Sequence, residues 1–116
     1  MAAFRTLPVD AARLSGLIVA GPVRPVSVYA AGPDGSRSRT DVQATNPDGV
    51  PMWTVELATF TDDGLASMRV KFPAAAEPVL PLQAPATVRG LVAGAMRDGG
   101  FYFSADAVGA HEKRTA

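Results

Sequence analysis

The sequence predicts an all-β domain, and three observations lead to that prediction. Ten prolines and eleven glycines divide the 116 residues at short intervals. The runs between them are short and rich in valine, threonine and aromatic residues, which favour strands. No long segment repeats its apolar residues with the period of a helix. Short strands separated by turn residues are typical of a small barrel or a sandwich.

A single domain fits the length of 116 residues, and a hydrophobic content of 47% is enough for a packed core. We expect residues 11–109 to form this domain. We expect flexible ends on both sides of it, at residues 1–10 and 110–116, because both stretches lack a strand pattern.

The first predicted strand is long and interrupted, covering residues 14–29. The dipeptides Gly21-Pro22 and Arg24-Pro25 break its middle, because proline has no N–H to donate to a neighbouring strand. We expect a bulge or a sharp bend there, so that one strand serves two sides of a small barrel. A polar loop is predicted for residues 31–51.

The second and third strands, residues 52–60 and 67–72, are predicted to form a hairpin around the turn Asp62-Asp63-Gly64. Side chains of a strand alternate between its two faces. The third strand therefore separates apolar from basic side chains: Met68, Val70 and Phe72 point one way, Arg69 and Lys71 the other.

The remaining chain is predicted to hold a crossover and a second hairpin. Residues 73–85 contain four prolines, too many for a stable helix, and we expect an extended connection. The fourth strand is predicted at residues 87–97 and the fifth at 101–108. The turn Asp98-Gly99-Gly100 joins them.

Together, these strands predict a five-stranded OB-like barrel with a long bent first strand and a non-hairpin connection between the third and fourth strands. A sandwich usually needs about seven strands. A five-stranded SH3-like barrel stays open as the alternative, since the strand count does not separate the two.

Composition excludes several classes of chemistry. The chain has no cysteine and one histidine, so disulfides, thiolate metal sites and cysteine nucleophiles are ruled out. No Gly-x-Ser-x-Gly, His-Glu-x-x-His or phosphate-binding glycine loop occurs. We therefore expect no catalysis, no cofactor and no small-molecule substrate. We also expect a cytoplasmic protein, because no apolar run is long enough for a membrane span and no secretory leader is recognisable.

Charge is balanced overall but uneven locally. Eleven basic residues match eleven acidic ones. Between residues 69 and 97, however, four cations face a single acid, Glu77. These cations are Arg69, Lys71, Arg89 and Arg97. A neutral total can thus include a basic face, which is what phosphates require.

Single-stranded DNA is bound by cations that take phosphates and flat rings that stack on bases. The candidate cations are Arg37 and Arg39 in the polar loop, with Arg69, Lys71, Arg89 and Arg97 on the strands. The candidate rings are Trp53 and Tyr102. Each has an ordinary alternative: Trp53 in the core, Tyr102 at a rim, and the cations on a solvated surface.

Two segments carry a resemblance to a known family. Residues 41–57 read Asp-Val-Gln-Ala-Thr-Asn-Pro-Asp-Gly-Val-Pro-Met-Trp-Thr-Val-Glu-Leu, and residues 68–79 read Met-Arg-Val-Lys-Phe-Pro-Ala-Ala-Ala-Glu-Pro-Val. They resemble small actinobacterial mobile-element proteins described as plasmid replication, integration and excision activators. The likeness covers roughly residues 41–103. It implies a link to DNA replication, a similarity to OB-type single-stranded DNA-binding proteins, and binding roles for Gln43, Trp53 and Lys71.

The resulting functional prediction is a homodimeric or higher-oligomeric protein that binds single-stranded DNA without sequence preference, in the replication or maintenance of a mobile element or phage. The alternative is a protein-interaction module that does not bind nucleic acid. The neutral total charge and the proline-rich crossover favour the alternative.

Overall fold

The computed structural model describes residues 6–10, 16–96 and 100–110. These residues form eleven strands and no helix. The strands are β1 (Thr6–Pro8), β2 (Ile18–Val19), β3 (Arg24–Pro25), β4 (Ser27–Ala31), β5 (Arg37–Gln43), β6 (Met52–Thr61), β7 (Gly64–Pro73), β8 (Ala86–Arg89), β9 (Val92–Ala95), β10 (Phe101–Ser104) and β11 (Ala107–Ala110).

The main sheet has the strand order β1-β9-β10-β7-β6-β2, and β3 also pairs with β6. Its pairs are antiparallel except β10 with β7, which run parallel. Two further sheets have two strands each, β8 with β11 and β4 with β5. The all-β prediction is therefore confirmed, with mixed pairing in the main sheet.

The β6–β7 hairpin is the longest pairing in the sheet. Its register runs from Met52 opposite Pro73 to Thr61 opposite Gly64. Asp62 and Asp63 form the turn between the two strands. The predicted hairpin is confirmed, and β7 begins at Gly64 rather than at the predicted residue 67.

One face of this hairpin forms the core. Val55, Leu57, Val70 and Phe72 are each at most 1% exposed, and Val19 of β2 packs with them. Each fully buried side chain of this size contributes about 1.5–3 kcal/mol through removal of apolar surface from water. The opposite face is thereby left to the alternating polar residues.

The predicted fourth strand is divided into β8 and β9, and the predicted fifth strand into β10 and β11. The two breaks lie next to each other in the structure. The chain bends between β8 and β9 at Gly90, whose φ of 66° lies in the left-handed region. A Cβ at Gly90 would collide with the carboxyl group of Asp106, between β10 and β11. Asp106 N donates to Arg89 O at 2.9 Å across this bend. The bend therefore directs β8 and β11 into a sheet of their own.

Two predictions about the first half of the chain are wrong in detail. The described part of the predicted strand 14–29 forms three short strands, and Arg24-Pro25 is itself a paired strand. The predicted loop 31–51 contains β5, which pairs with β4. We call residues 27–43 the arm. Of the connection predicted at residues 73–85, Pro73 ends β7 and Pro85 forms a bridge with Ile18, and residues 74–84 form neither strand nor helix, as predicted.

No closed barrel is found among the described residues, because the end strands β1 and β2 of the main sheet do not pair with each other. The free edge of β2 is instead bonded to residues 83–86: Val19 N donates to Ala84 O at 2.9 Å and Gln83 N to Val19 O at 2.8 Å. The predicted flexible ends contain strand residues: β1 lies within residues 1–10, and Ala110 is the last residue of β11. Residues 1–5 and 111–116 lie outside the described part.

Candidate nucleic-acid interface

A groove of about 430 Å³ lies on the outer face of the β6–β7 hairpin. Its lining comes from three parts of the chain: residues 21–27 around β3, the arm, and the two hairpin strands. The lining includes four cations, Arg24, Arg39, Arg69 and Lys71, and one acid, Glu56. The groove therefore concentrates positive charge on a protein whose total charge is zero.

Strand register places polar residues in a row across the groove floor. Arg24 pairs with Thr54, Thr54 with Lys71, and Lys71 with Ser104. Neighbouring strands lie about 4.8 Å apart, so the backbones at Arg24 and Lys71 are about 10 Å apart, on either side of Thr54. Arg69 is the next outward residue of β7, so three cations share one face.

These cations are not neutralised by neighbouring acids. Glu56 pairs with Arg69 in the register, but its carboxylate extends the other way, over Gly21. Across residues 6–10, 16–96 and 100–110, the side chains of Arg24, Arg69 and Lys71 have no recorded hydrogen bond or ion pair. Their charges are consequently available to an anionic ligand.

The arm forms one wall of the groove. Arg39 Nε donates a hydrogen bond to Ser27 Oγ at 2.9 Å, which fixes the guanidinium near the base of the arm. Tyr29 is paired with Arg39 and is 59% exposed. A cation and an exposed ring thus lie side by side on the wall.

Tyr102 lies on the same face of the sheet as Lys71, one outward position before Ser104 on β10. It pairs with Gly94 of β9. A Cβ at Gly94 would collide with the end of the Tyr102 ring, so the ring lies across the glycine backbone instead of projecting from the sheet. The ring is still 43% exposed, which leaves a surface for stacking.

Tyr102 shares the outer face but does not line the groove, and Trp53 and Gln43 do not line it either. Trp53 lies on the core side, where it packs against buried residues and its Nε1 donates to Ala74 O at 2.9 Å. Gln43 Nε2 donates to Met52 O at 2.9 Å, which ties the arm to β6. Trp53 therefore does not share a face with the cations, and Gln43 has a structural partner.

Three predicted cations also lie apart from the groove or beyond the described chain. Arg37 is exposed at the far end of β5, opposite Ala31. Arg89 is exposed on β8, opposite Ala107. Arg97 lies outside the described residues. The single face predicted to hold Arg69, Lys71, Arg89 and Arg97 is therefore wrong for Arg89, while Arg69 and Lys71 belong to the groove.

Sequence reasoning missed Arg24 and Tyr29 as site residues. Arg24 precedes Pro25, and this dipeptide was predicted to lie in a strand break. Proline is nevertheless tolerated in an edge strand, so Arg24-Pro25 was compatible with a short paired strand. No sequence pattern placed Tyr29 beside a cation, because its partner Arg39 was predicted to lie in a loop.

The fold and the groove define an all-β protein with a cationic, ring-flanked cleft. The chain matches no protein-family model, and comparison with the curated proteins and with the solved structures found no match. In the described ranges, no helix is long and apolar enough to cross a membrane. The same ranges hold no group of three or more His, Cys, Asp or Glu side chains that could bind a metal ion.

Proposed function

We propose that this protein binds single-stranded DNA in the cationic groove, without strong sequence preference. The observation that supports this most is the convergence of Arg24, Arg39, Arg69 and Lys71, contributed by β3, the arm and β7, on one groove. Binding of a polyanion needs such a concentration of cations, whatever the total charge of the chain.

We also propose an open OB-like architecture for the domain. The strand order supports it: β1 and β2, both from the first part of the chain, lie at opposite ends of the main sheet. The link from β2 to residues 83–86 joins one sheet end to the start of β8. OB-folds are partly open five-stranded barrels that bind oligonucleotides on the face of their second and third strands, which correspond here to β6 and β7.

Binding in this groove would divide the ligand between two kinds of contact. Phosphates would bind Arg24 and Lys71, which lie on either side of Thr54. Bases would stack on Tyr102 and Tyr29, with each stacked base contributing roughly 1–3 kcal/mol.

The decisive experiment compares two double variants with the same change in charge. Arg69→Ala/Lys71→Ala removes two cations of the groove, and Arg37→Ala/Arg89→Ala removes two cations outside it. Binding to a fluorescein-labelled oligothymidine is followed by anisotropy over a range of salt concentrations. Trp53 fluorescence is a poor reporter because Trp53 faces the core.

The groove variant should bind much more weakly at low salt, and its log–log salt slope should fall by about 1.4, since each lost phosphate contact accounts for about 0.7 on a single strand. The control variant should keep the wild-type slope. Both should melt at the wild-type temperature, because all four side chains are exposed. Equal losses in the two variants would mean diffuse attraction and would refute the groove. An absence of binding by the wild type at low salt would refute DNA binding altogether.

A role in the replication or maintenance of a mobile element or phage is part of this proposal, and its support is the resemblance in residues 41–57 and 68–79. A DNA substrate with exposed single strands is what such a process supplies. Binding to a replication-fork DNA should therefore exceed binding to the matched duplex.

The second candidate function is a protein-interaction module. It is favoured by the paired side chains Phe60 and Leu65 near the tip of the β6–β7 hairpin, which are 69% and 62% exposed. Self-association through this tip or through the unpaired edges of the arm would give the predicted homodimer or higher oligomer. Light scattering of the wild type and of Phe60→Ser/Leu65→Ser tests self-association: loss of a dimer in the variant supports this tip as the interface, and a monomeric wild type refutes self-association.

A further inference from the structure

Glu56 is the one carboxylate in the lining of the groove. It is half-buried on the outer face of β6, between the row that holds Arg24 and Lys71 and the turn at Gly21-Pro22. A negative charge at this place repels phosphates and should lower the affinity for DNA, unless the carboxylate accepts hydrogen bonds from another part of the ligand. The following inference rests on that proposed function.

The position of the carboxylate excludes the simplest structural role, which is to hold Arg69. Glu56 Oε2 would lie 3.7 Å and its Cβ 3.4 Å from a Cβ built on Gly21. The side chain thus extends over the buried backbone of Gly21, away from β7. In the described part of the chain, no hydrogen bond or ion pair to the Glu56 carboxylate is recorded.

An unpaired carboxylate accepts hydrogen bonds from N–H groups, and in a nucleic acid these belong to the bases. Bases of a single strand expose their pairing edges to the protein. Guanine presents two adjacent donors on that edge, N1–H and the 2-amino group, which match the two oxygens of a carboxylate. Thymine presents one N–H between two carbonyl oxygens, which a carboxylate repels.

We propose that Glu56 selects guanine over thymine at one position of the bound strand. The remaining positions keep the sequence tolerance of stacking and phosphate contacts. The row of Arg24 and Lys71 would hold the phosphates while the base turns toward β2, where Glu56 and the exposed ring of Pro22 lie. A bidentate contact to a base discriminates by roughly 1–3 kcal/mol, which corresponds to about 5-fold to 150-fold in affinity.

The experiment uses three labelled 12-mers: all thymidine, thymidine with guanine at two separated positions, and the same strand with hypoxanthine in place of guanine. Hypoxanthine lacks only the 2-amino group. Each is titrated into the wild type, Glu56→Gln and Glu77→Gln. Glu77 is exposed in the 73–85 connection and outside the groove lining, so its substitution matches the charge change.

The wild type and Glu77→Gln should bind the guanine strand about tenfold more tightly than the thymidine strand. The hypoxanthine strand should fall between them. Glu56→Gln should bind all three alike, and thymidine slightly better than the wild type does, because a repelling charge is gone. Equal affinities in the wild type, or an unchanged preference in Glu56→Gln, would overturn this inference while leaving DNA binding intact. No binding of any strand would overturn both.

Discussion

The protein contains two long antiparallel hairpins that differ in what lies beneath them. The β6–β7 hairpin covers the core, and four of its side chains are at most 1% exposed. The arm has no fully buried residue, and both of its strands carry exposed apolar side chains, Val28 and Val42. An isolated two-stranded hairpin is only marginally stable in water.

This difference divides the groove into a fixed part and an adaptable part. Arg69 and Lys71 are held on a strand whose other face is anchored by Val70 and Phe72. Arg39 is held by the arm, through one hydrogen bond to Ser27 and the pairing of β4 with β5. We infer that the floor of the groove is preorganised, whereas the wall can adjust to a ligand.

The largest expected effect is on the hairpin that covers the core. Phe72→Ala should lower the free energy of unfolding by about 3–5 kcal/mol, because it leaves a cavity where a ring is 1% exposed. Val42→Ala on the arm should change it by less than about 0.5 kcal/mol, since Val42 is 62% exposed. Urea unfolding measures both. A loss of more than about 1 kcal/mol for Val42→Ala would show that the arm is part of the cooperative unit.

The next largest expected effect is on stability, at the contact between the Tyr102 ring and Gly94. Gly94→Ala should cost about 1–3 kcal/mol, because the new methyl group displaces the ring. The same substitution in a Tyr102→Ala background should cost much less, because the clash is gone. Equal costs in the two backgrounds, measured by thermal unfolding as a double-mutant cycle, would mean that the ring does not lie across Gly94.

A smaller effect is expected in amide hydrogen exchange, which should differ between the arm and the β6–β7 hairpin without any change in global stability. Amide hydrogens of β4 and β5 should exchange by local opening at much lower free energy than those of β6 and β7. Ser27→Ala removes the acceptor of the Arg39 hydrogen bond and should speed exchange in the arm further. Exchange in β6–β7 is the internal control. Identical opening energies in the two hairpins would contradict the division into floor and wall.

The smallest effect is a pH response at the tip of the arm. Hydrogen bonds from Ser36 Oγ (2.6 Å) and Ser36 N (3.1 Å) lower the pKa of the exposed Asp34 carboxyl below its usual value. Because the pKa is lower in the folded than in the unfolded arm, the stabilisation is complete above the unfolded pKa. It is lost as the pH falls through the folded one.

An NMR titration of the Ser36 amide would follow this change. Ser36→Ala should return the Asp34 pKa toward its usual value, because the largest cause of the lowering is gone. Asp34→Asn should abolish the titration at Ser36. An unchanged pKa in Ser36→Ala would show that the turn is not closed by this hydrogen bond.

The contrast between the hairpins also explains which parts of the fold could be predicted. The β6–β7 hairpin was predictable because one buried face imposes strict alternation, from Met68 to Phe72, and the Asp-Asp-Gly turn marks its end. Strand β5 of the arm was missed because it buries no face, and its sequence shows no apolar alternation. A sequence pattern reports burial, and a strand without burial leaves no such pattern.

The same reasoning applies to the bends and to the site. The break at Gly90 depends on the approach of Asp106, a tertiary contact that local sequence does not encode. Arg69 and Lys71 followed from alternation alone. Arg24 required the register of β3 against β6, which links residues thirty positions apart. Trp53 shares its alternation with Val55 and Leu57, and the core alternative for this residue agrees with its packing.

The parallel pair of β7 and β10 has a consequence for how the chain reaches its native state. Phe103 lies beside Val70, so the middle of the main sheet is completed by a segment that lies more than thirty residues further along the chain. Such distant pairing must await loop closure, and chains that depend on it fold slowly. Until then β7 has an unsatisfied edge, and a chain truncated before residue 101 would lose an inner strand rather than a border. Folding chains are thus most exposed to aggregation in the interval before β10 docks against β7.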